Sequence, residues 1–162
     1  MDLLRGCLGR LKEHLVVDST LVHRRYPELD FGETAGRGMG LNGSTLLHVA
    51  AEFAFMDAAK LLVDRGADVN ARALVDKTGF GGQTPIFHVA SQYLDKGLPM
   101  TQLLVERGAD FSIRAKIRGN CGVLNDFVEC SPLKYALRFP GEADSAGSRK
   151  TQVYLREQGV PE

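Results

Sequence analysis

The sequence lacks several signatures, and each absence removes a class of function. Lys plus Arg (20) balances Asp plus Glu (20), so the global basic excess of a typical nucleic-acid binder is missing. No stretch approaches the ~20 apolar residues needed to span a bilayer. Asp2, Arg5, Arg10 and Lys12 interrupt the N-terminal leucines, so no signal peptide is expected. There is no tryptophan, and cysteine is scarce and odd in number: Cys7, Cys121 and Cys130. Three thiols do not make a disulfide framework, and a reducing, cytoplasmic setting is expected. Cys121 and Cys130 lack the close C-x₂-C pairing of a zinc site. A local disulfide between them and plain thiols are both open. No histidine lies near either one in sequence, so nothing in the sequence marks a Cys–His nucleophilic pair, which needs the base close in space.

Two glycine-rich stretches also lack their partners. Gly36-Arg37-Gly38-Met39-Gly40 has no buried strand before it, so a dinucleotide site is not indicated. Gly79-Phe80-Gly81-Gly82 lacks the Lys-Ser/Thr of a phosphate-binding loop. Both read as loop chemistry. No catalytic residue, cofactor or metal ligand is assigned.

What is present is repetition. Residues 61–68 read LLVDRGAD and residues 103–110 read LLVERGAD, 108 − 66 = 42 residues apart. A second phrase precedes each copy: Thr45-Leu46-Leu47-His48-Val49-Ala50-Ala51, then Thr84-Pro85-Ile86-Phe87-His88-Val89-Ala90. A weaker third copy runs from Ser131-Pro132-Leu133-Lys134-Tyr135-Ala136 to Leu155-Arg156-Glu157-Gln158-Gly159. Each unit predicts a helix, a turn, a second helix and a glycine stop. Thr45 sits at an N-cap position, and Pro85 and Pro132 at first helical positions. Gly66 and Gly108 sit where a left-handed C′ residue belongs.

Between units lie extended fingers. One runs over 67–83 and a longer one over 109–130. Ahead of the first repeat, Leu4, Leu8, Leu11 and Leu15 keep one face of a helix over 2–17. That segment, with the loop to residue 44, is expected to cover the open end of a stack. The division is therefore one domain over 1–162: cap and loop 1–44, then repeats over 45–83, 84–130 and 131–162.

These phrases resemble the ankyrin repeat, whose helix-start phrase is T-P-L-H-x-A-A and whose second helix closes on L-L-x-x-G-A-D. The start-to-start distances, 84 − 45 = 39 and 131 − 84 = 47, exceed the family period of about 33. The excess falls in the fingers and the inter-helix turns. The resemblance implies an all-α solenoid of stacked helix pairs with β-hairpin-like fingers. It also implies a structural role for His48, bonding the Thr45 hydroxyl and reaching a neighbouring repeat. Phe87 and Lys134 replace that histidine later in the chain.

The resemblance further implies a module that binds another protein through a concave face. Carried onto matching positions, the contact residues are Ser44, Glu52 and Phe53, then Arg72, Gln83, Ser91 and Gln92, then Arg114, Arg138 and Phe139. Phe80 and Phe127 join them, because aromatics are out of place in fingers that merely connect helices. Arg114, Lys116 and Arg118 form a small basic cluster that is either a solvated edge or a contact for an acidic partner surface or phosphate. A monomer that binds neither nucleic acid nor membrane is expected. The alternative is a ligand-binding or enzymatic protein whose enlarged fingers form a pocket bringing His88, Glu129 and Cys130 together.

Overall fold

A computed structural model describes residues 8–26, 40–118, 127–138 and 148–162. The helices are α1 (Leu8–Val17), α2 (Leu46–Glu52), α3 (Met56–Asp64), α4 (Pro85–Ala90), α5 (Leu98–Glu106), α6 (Pro132–Leu137) and α7 (Arg149–Glu157). Strands β1 (Ala115–Arg118) and β2 (Phe127–Cys130) pair antiparallel, Ala115 opposite Cys130 and Arg118 opposite Phe127. The expected all-α class therefore needs amendment: the chain is a helical solenoid with a small sheet in its second finger. Short 3₁₀ turns follow α1 (Ser19–Val22) and join α4 to α5 (Tyr93–Asp95).

The helices form two rows. The first helices pack as α2 on α4 and α4 on α6; the second helices as α1 on α3, α3 on α5 and α5 on α7. Thus α1 extends the second row by one member, as a cover for the first full repeat should. Its Leu11 and Leu15 are buried and join one continuous core that runs to Val160. Leu4, on the same predicted face, lies outside the described residues.

The repeated phrase builds the same local structure three times. Leu62, Leu104 and Leu155, each four residues before its glycine, are fully buried. Burial of such a side chain contributes about 1.5–3 kcal/mol. The preceding leucines are less deep: Leu61 is half-buried. Gly66, Gly108 and Gly159 have φ of 88°, 86° and 76°. Each glycine N–H donates three residues back, to Val63, Val105 and Arg156. The next N–H donates five residues back, from Ala67 to Leu62, Ala109 to Leu104 and Val160 to Leu155. This is the Schellman closure, and glycine meets its left-handed conformation without a Cβ penalty.

The start phrase is closed differently in each repeat. In α2 the Thr45 N–H donates to His48 Nδ1 at 3.1 Å, and the Thr45 hydroxyl lies 2.9 Å from the same nitrogen. His48 takes the place that Glu or Gln holds in a capping box. Because Nδ1 accepts a backbone N–H, the ring proton sits on Nε2, which donates to the Gln83 carbonyl at 3.0 Å. In α4, Phe87 occupies the equivalent position, buried and 6.3 Å from the Tyr135 ring. In α6, Ser131 Oγ accepts the Lys134 N–H at 3.0 Å and donates to the Pro161 carbonyl.

Burial, and after it the neighbouring His88, lowers the His48 pKa from 6.5 to about 3. An unfolded chain therefore takes up a proton at this residue from about pH 6.5 downward, while the folded chain refuses it until about pH 3. His48 stabilises the fold fully above that window, and the contribution falls by about 1.4 kcal/mol per pH unit within it. Urea denaturation at about pH 7.5 and about pH 5 should show this loss, near 2 kcal/mol. His48→Gln should be less stable at the higher pH and have a flatter pH dependence. An equal slope in both proteins would contradict the assignment.

Candidate interaction surface

Fingers can form a surface only if something fixes them to one another. The first finger closes as Ala73 N–H donates to the Gln83 carbonyl and Asp76 N–H to the Phe80 carbonyl. Its returning arm then pairs with the second finger: Gly81 and Lys116 exchange both backbone hydrogen bonds, at 2.8 and 3.2 Å. Gly81 has φ of 114°, and a Cβ there would meet the Leu74 carbonyl oxygen at 2.2 Å, so the close approach requires glycine. On the other side, Leu74 N–H donates to Gly43 and Tyr26 pairs with Ser44.

Arginines run along this edge. Arg25 Nε donates to the Arg72 carbonyl at 3.0 Å, and Arg72 Nη2 donates to the Arg114 carbonyl at 2.9 Å. Arg72 Nε also holds the Gly82 carbonyl at 3.0 Å. Arg72 and Arg114 are equivalent, each six residues after its stop glycine (72 − 66 and 114 − 108). Asn70 binds the finger bases in parallel, donating to the Gly108 carbonyl and accepting the Asp110 N–H.

The expected contact residues divide into three groups. Phe53 and Arg72 are exposed; Phe53 stacks on Phe55 with centroids 5.7 Å apart. Phe80, Gln92, Arg114, Phe127 and Arg138 are half-buried. Phe80 and Phe127 face each other across the fingers at 5.8 Å, and the Lys116 ammonium lies 5.1 Å from the Phe127 centroid. Their hydrophobic character thus joins the fingers and still leaves part of each ring open. Gln92 Nε2 donates to the Glu52 carbonyl at 2.6 Å.

Ser44, Glu52, Gln83 and Ser91 correct the expectation of surface residues, because all four are buried. Glu52 and Gln83 bond to groups of neighbouring units, and the Ser44 and Ser91 hydroxyls are enclosed without a hydrogen-bond partner. Gln83 Nε2 donates to the Gly40 carbonyl at 2.8 Å. Glu52 accepts from His88 Nδ1 at 2.8 Å, with both side chains almost fully enclosed. Phe139 lies outside the described residues, as do Cys7 and Cys121. The sequence pattern does not single out Arg25 or Lys77. Arg25 has no stop glycine before it to mark its register, and Lys77 stands alone in a turn.

The residues of the alternative pocket do not converge. His88 is committed to Glu52 across the α2–α4 contact. Glu129 is exposed and Cys130 buried, on opposite faces of β2. Among the described residues, an open groove of about 410 Å³ lies between α5 and α7, lined by Leu98, Gln102, Val153 and Tyr154 together with Arg149, Lys150 and Glu157. It is in the second-helix row, away from the fingers. No group of acidic, His or Cys residues suited to holding a metal occurs among the described residues. No described helix is long and apolar enough to cross a membrane.

Helix pairs stacked in two rows, glycine-closed second helices and edge-paired fingers define a helical repeat solenoid. The chain belongs to the ankyrin-repeat family: the family model "Ankyrin repeats (3 copies)" matches residues 15–115. No curated protein matches the chain. Helices α6 and α7 lie beyond the matched span and continue both rows.

Cys130 is a free, buried thiol, and burial pushes its pKa up to about 11 against the pull of Arg138, Lys134 and Arg114. That is the reverse of nucleophile activation. Alkylation with iodoacetamide near pH 8, read by peptide mass mapping, should label Cys130 at least about a hundredfold more slowly in the native protein than in urea. Labelling at the unfolded rate would show that the second finger is not packed as described.

Proposed function

We propose that this protein binds a partner protein along the side formed by its first-helix ends and fingers. Ankyrin repeats are generally protein-interaction modules, and the family is typically non-enzymatic. The observation that supports this reading most directly is the hydrogen-bonded finger edge. Backbone pairs and arginine–carbonyl bonds hold successive fingers in register, so the surface exists before a partner arrives. A preformed surface spares the partner the entropy of ordering it.

The contact residues on this reading are Phe53 and Arg72, with Phe80, Gln92, Arg114, Phe127 and Arg138 around them. Phe53 supplies an aromatic anchor and the arginines directional donors, the residue types that dominate binding energy at interfaces. Phe139 follows Arg138 directly in sequence and belongs to the same proposal. Glu52 and Gln83 act from beneath by bonding to His88 and Gly40, with Ser44 and Ser91 enclosed beside the helices that carry this surface. The cap and the three repeats, 1–162, serve as one scaffold.

Affinity capture with immobilised protein and lysate of the native host tests the reading. A specific protein should be retained by the wild type and by Lys60→Glu on α3. Its retention should drop about tenfold or more with Phe53→Asp, the loss of one anchor. Equal retention by Phe53→Asp would move the binding surface elsewhere; loss with Lys60→Glu alone would place it on the second-helix row.

A further inference from the structure

Among Asn42, Asn70, Asn120 and Asn125, only Asn42 precedes a glycine. Asn70 precedes alanine, and its side chain is held at both ends. It donates to the Gly108 carbonyl at 2.9 Å and accepts the Asp110 N–H at 2.7 Å. Asn42 is exposed, and its side-chain amide makes no hydrogen bond among the described residues. Gly43 cannot be exchanged freely: its φ is 67°, and a Cβ there would run into the Leu74 side chain. The fold therefore keeps an unhindered backbone nitrogen next to an amide carbon that nothing restrains.

Such a pair can react with itself. The Gly43 nitrogen bonds to Asn42 Cγ and closes a cyclic imide. The side-chain nitrogen leaves as ammonia, carrying the proton that Gly43 gives up. Water then opens the ring at either carbonyl, leaving aspartate or isoaspartate. No oxidant, metal or cofactor enters the balance. In the folded chain, however, the attacking nitrogen is engaged. Gly43 N–H donates to the Tyr26 carbonyl at 3.1 Å, beside the bond from Tyr26 N–H to the Ser44 carbonyl at 2.9 Å. These two bonds join the end of the cap to the first repeat, so ring closure waits until Tyr26 and Gly43 part.

We propose that Asn42–Gly43 is a self-modification site gated by the cap: it stays intact while the cap is docked and converts when the cap lifts. The conversion is one-way. Isoaspartate routes the main chain through the former side chain and adds a carbon to it. That carbon falls inside the turn closed by Ser44 N–H on the Leu41 carbonyl at 3.0 Å. Gly43 also binds the first finger, its carbonyl accepting the Leu74 N–H at 3.3 Å. A lengthened chain cannot keep the bonds to Tyr26, Leu41 and Leu74 together, so the cap does not redock in register.

The test is peptide mass mapping of the protein aged in mildly alkaline buffer, folded and in urea, with isoaspartate separated from aspartate by chromatography. Asn42 should convert at least about tenfold faster in urea than in the folded chain, which measures how seldom Tyr26 and Gly43 part. Arg25→Gln removes the cap's bond to the Arg72 carbonyl, and Val22→Ala thins its buried contact. Each should raise the folded rate about threefold or more. Lys60→Gln on α3 should leave it within about twofold. Asn70 reports global unfolding and should not speed up in any variant. The isolated isoaspartate form should exchange its Tyr26 amide hydrogen at least about tenfold faster than the unmodified protein. Equal rates in folded chain and urea, no conversion of Asn42 in urea, or unchanged rates in both cap variants would each overturn the proposal. So would a parallel rise at Asn70, or an isoaspartate form that keeps its Tyr26 protection.

Discussion

One neutral imidazole couples the first full repeat to the next. His48 accepts the Thr45 N–H on one nitrogen and donates to the Gln83 carbonyl from the other. Thr45 opens α2, and Gln83 lies just before α4. Gln83 passes the connection on, since its amide nitrogen donates to Gly40. Two stretches distant in sequence, 40–48 and the approach to α4 at Gln83, are thereby joined, and the His48 bonds demand a single tautomer. The site is fully enclosed, so a missing partner would leave a buried polar group at a cost of about 1–3 kcal/mol. The packing of the helix rows supplies more energy, but it is non-directional; the imidazole sets the register.

Later repeats achieve the same coupling by other means. Phe87 takes the equivalent position and meets Tyr135 of the following unit. His88, one residue on, points back instead, to Glu52, and its ring meets His48 edge-on at 5.6 Å. The two histidines hold their shared-contact protons on different nitrogens, Nε2 in His48 and Nδ1 in His88. The enlarged α4–α5 turn has its own linkage. Leu94 and Asp95 sit at φ of 56° and 55°, a strained state for both residues. Asp95 then accepts the Thr151 N–H at 3.1 Å in the first turn of α7. The strained turn thus reaches forward to the next unit.

Much of this is legible in the residues. The stop phrase forecasts its Schellman closure at Gly66 and Gly108, where glycine follows a leucine pair, and Gly159 closes the same way after Tyr154-Leu155. Arg72 and Arg114 keep a fixed offset from their glycines, and that offset alone marks them as equivalent. The interaction surface is less legible. Ser44, Gln83 and Ser91 are polar and flank short helices, and sequence gives no sign that the adjacent repeat covers them. Polarity suggests solvent, whereas here the Gln83 amide serves the Gly40 carbonyl inside the stack and the two serine hydroxyls are enclosed without a hydrogen-bond partner. Phe80 and Phe127 pose the reverse problem: an aromatic in a finger fits a packing role or a binding role, and their half-buried pairing has features of both. Alternation along β2 separates Glu129 from Cys130, since neighbours in a strand face opposite ways.

The finger edge and the second-helix row are held by forces of different kinds. Along the finger edge, backbone pairs and the Arg25–Arg72–Arg114 ladder fix distances through directional bonds. Along the second-helix row, buried leucines and alanines carry most of the contact, with fewer directional bonds, such as Arg107 to Asp64. The molecule therefore resembles a book sewn along its spine, with pages free to fan. Bending should change the spacing of α1, α3, α5 and α7 while the fingers keep theirs. Whatever lies along the spine is held at constant pitch while the curvature of the stack changes behind it.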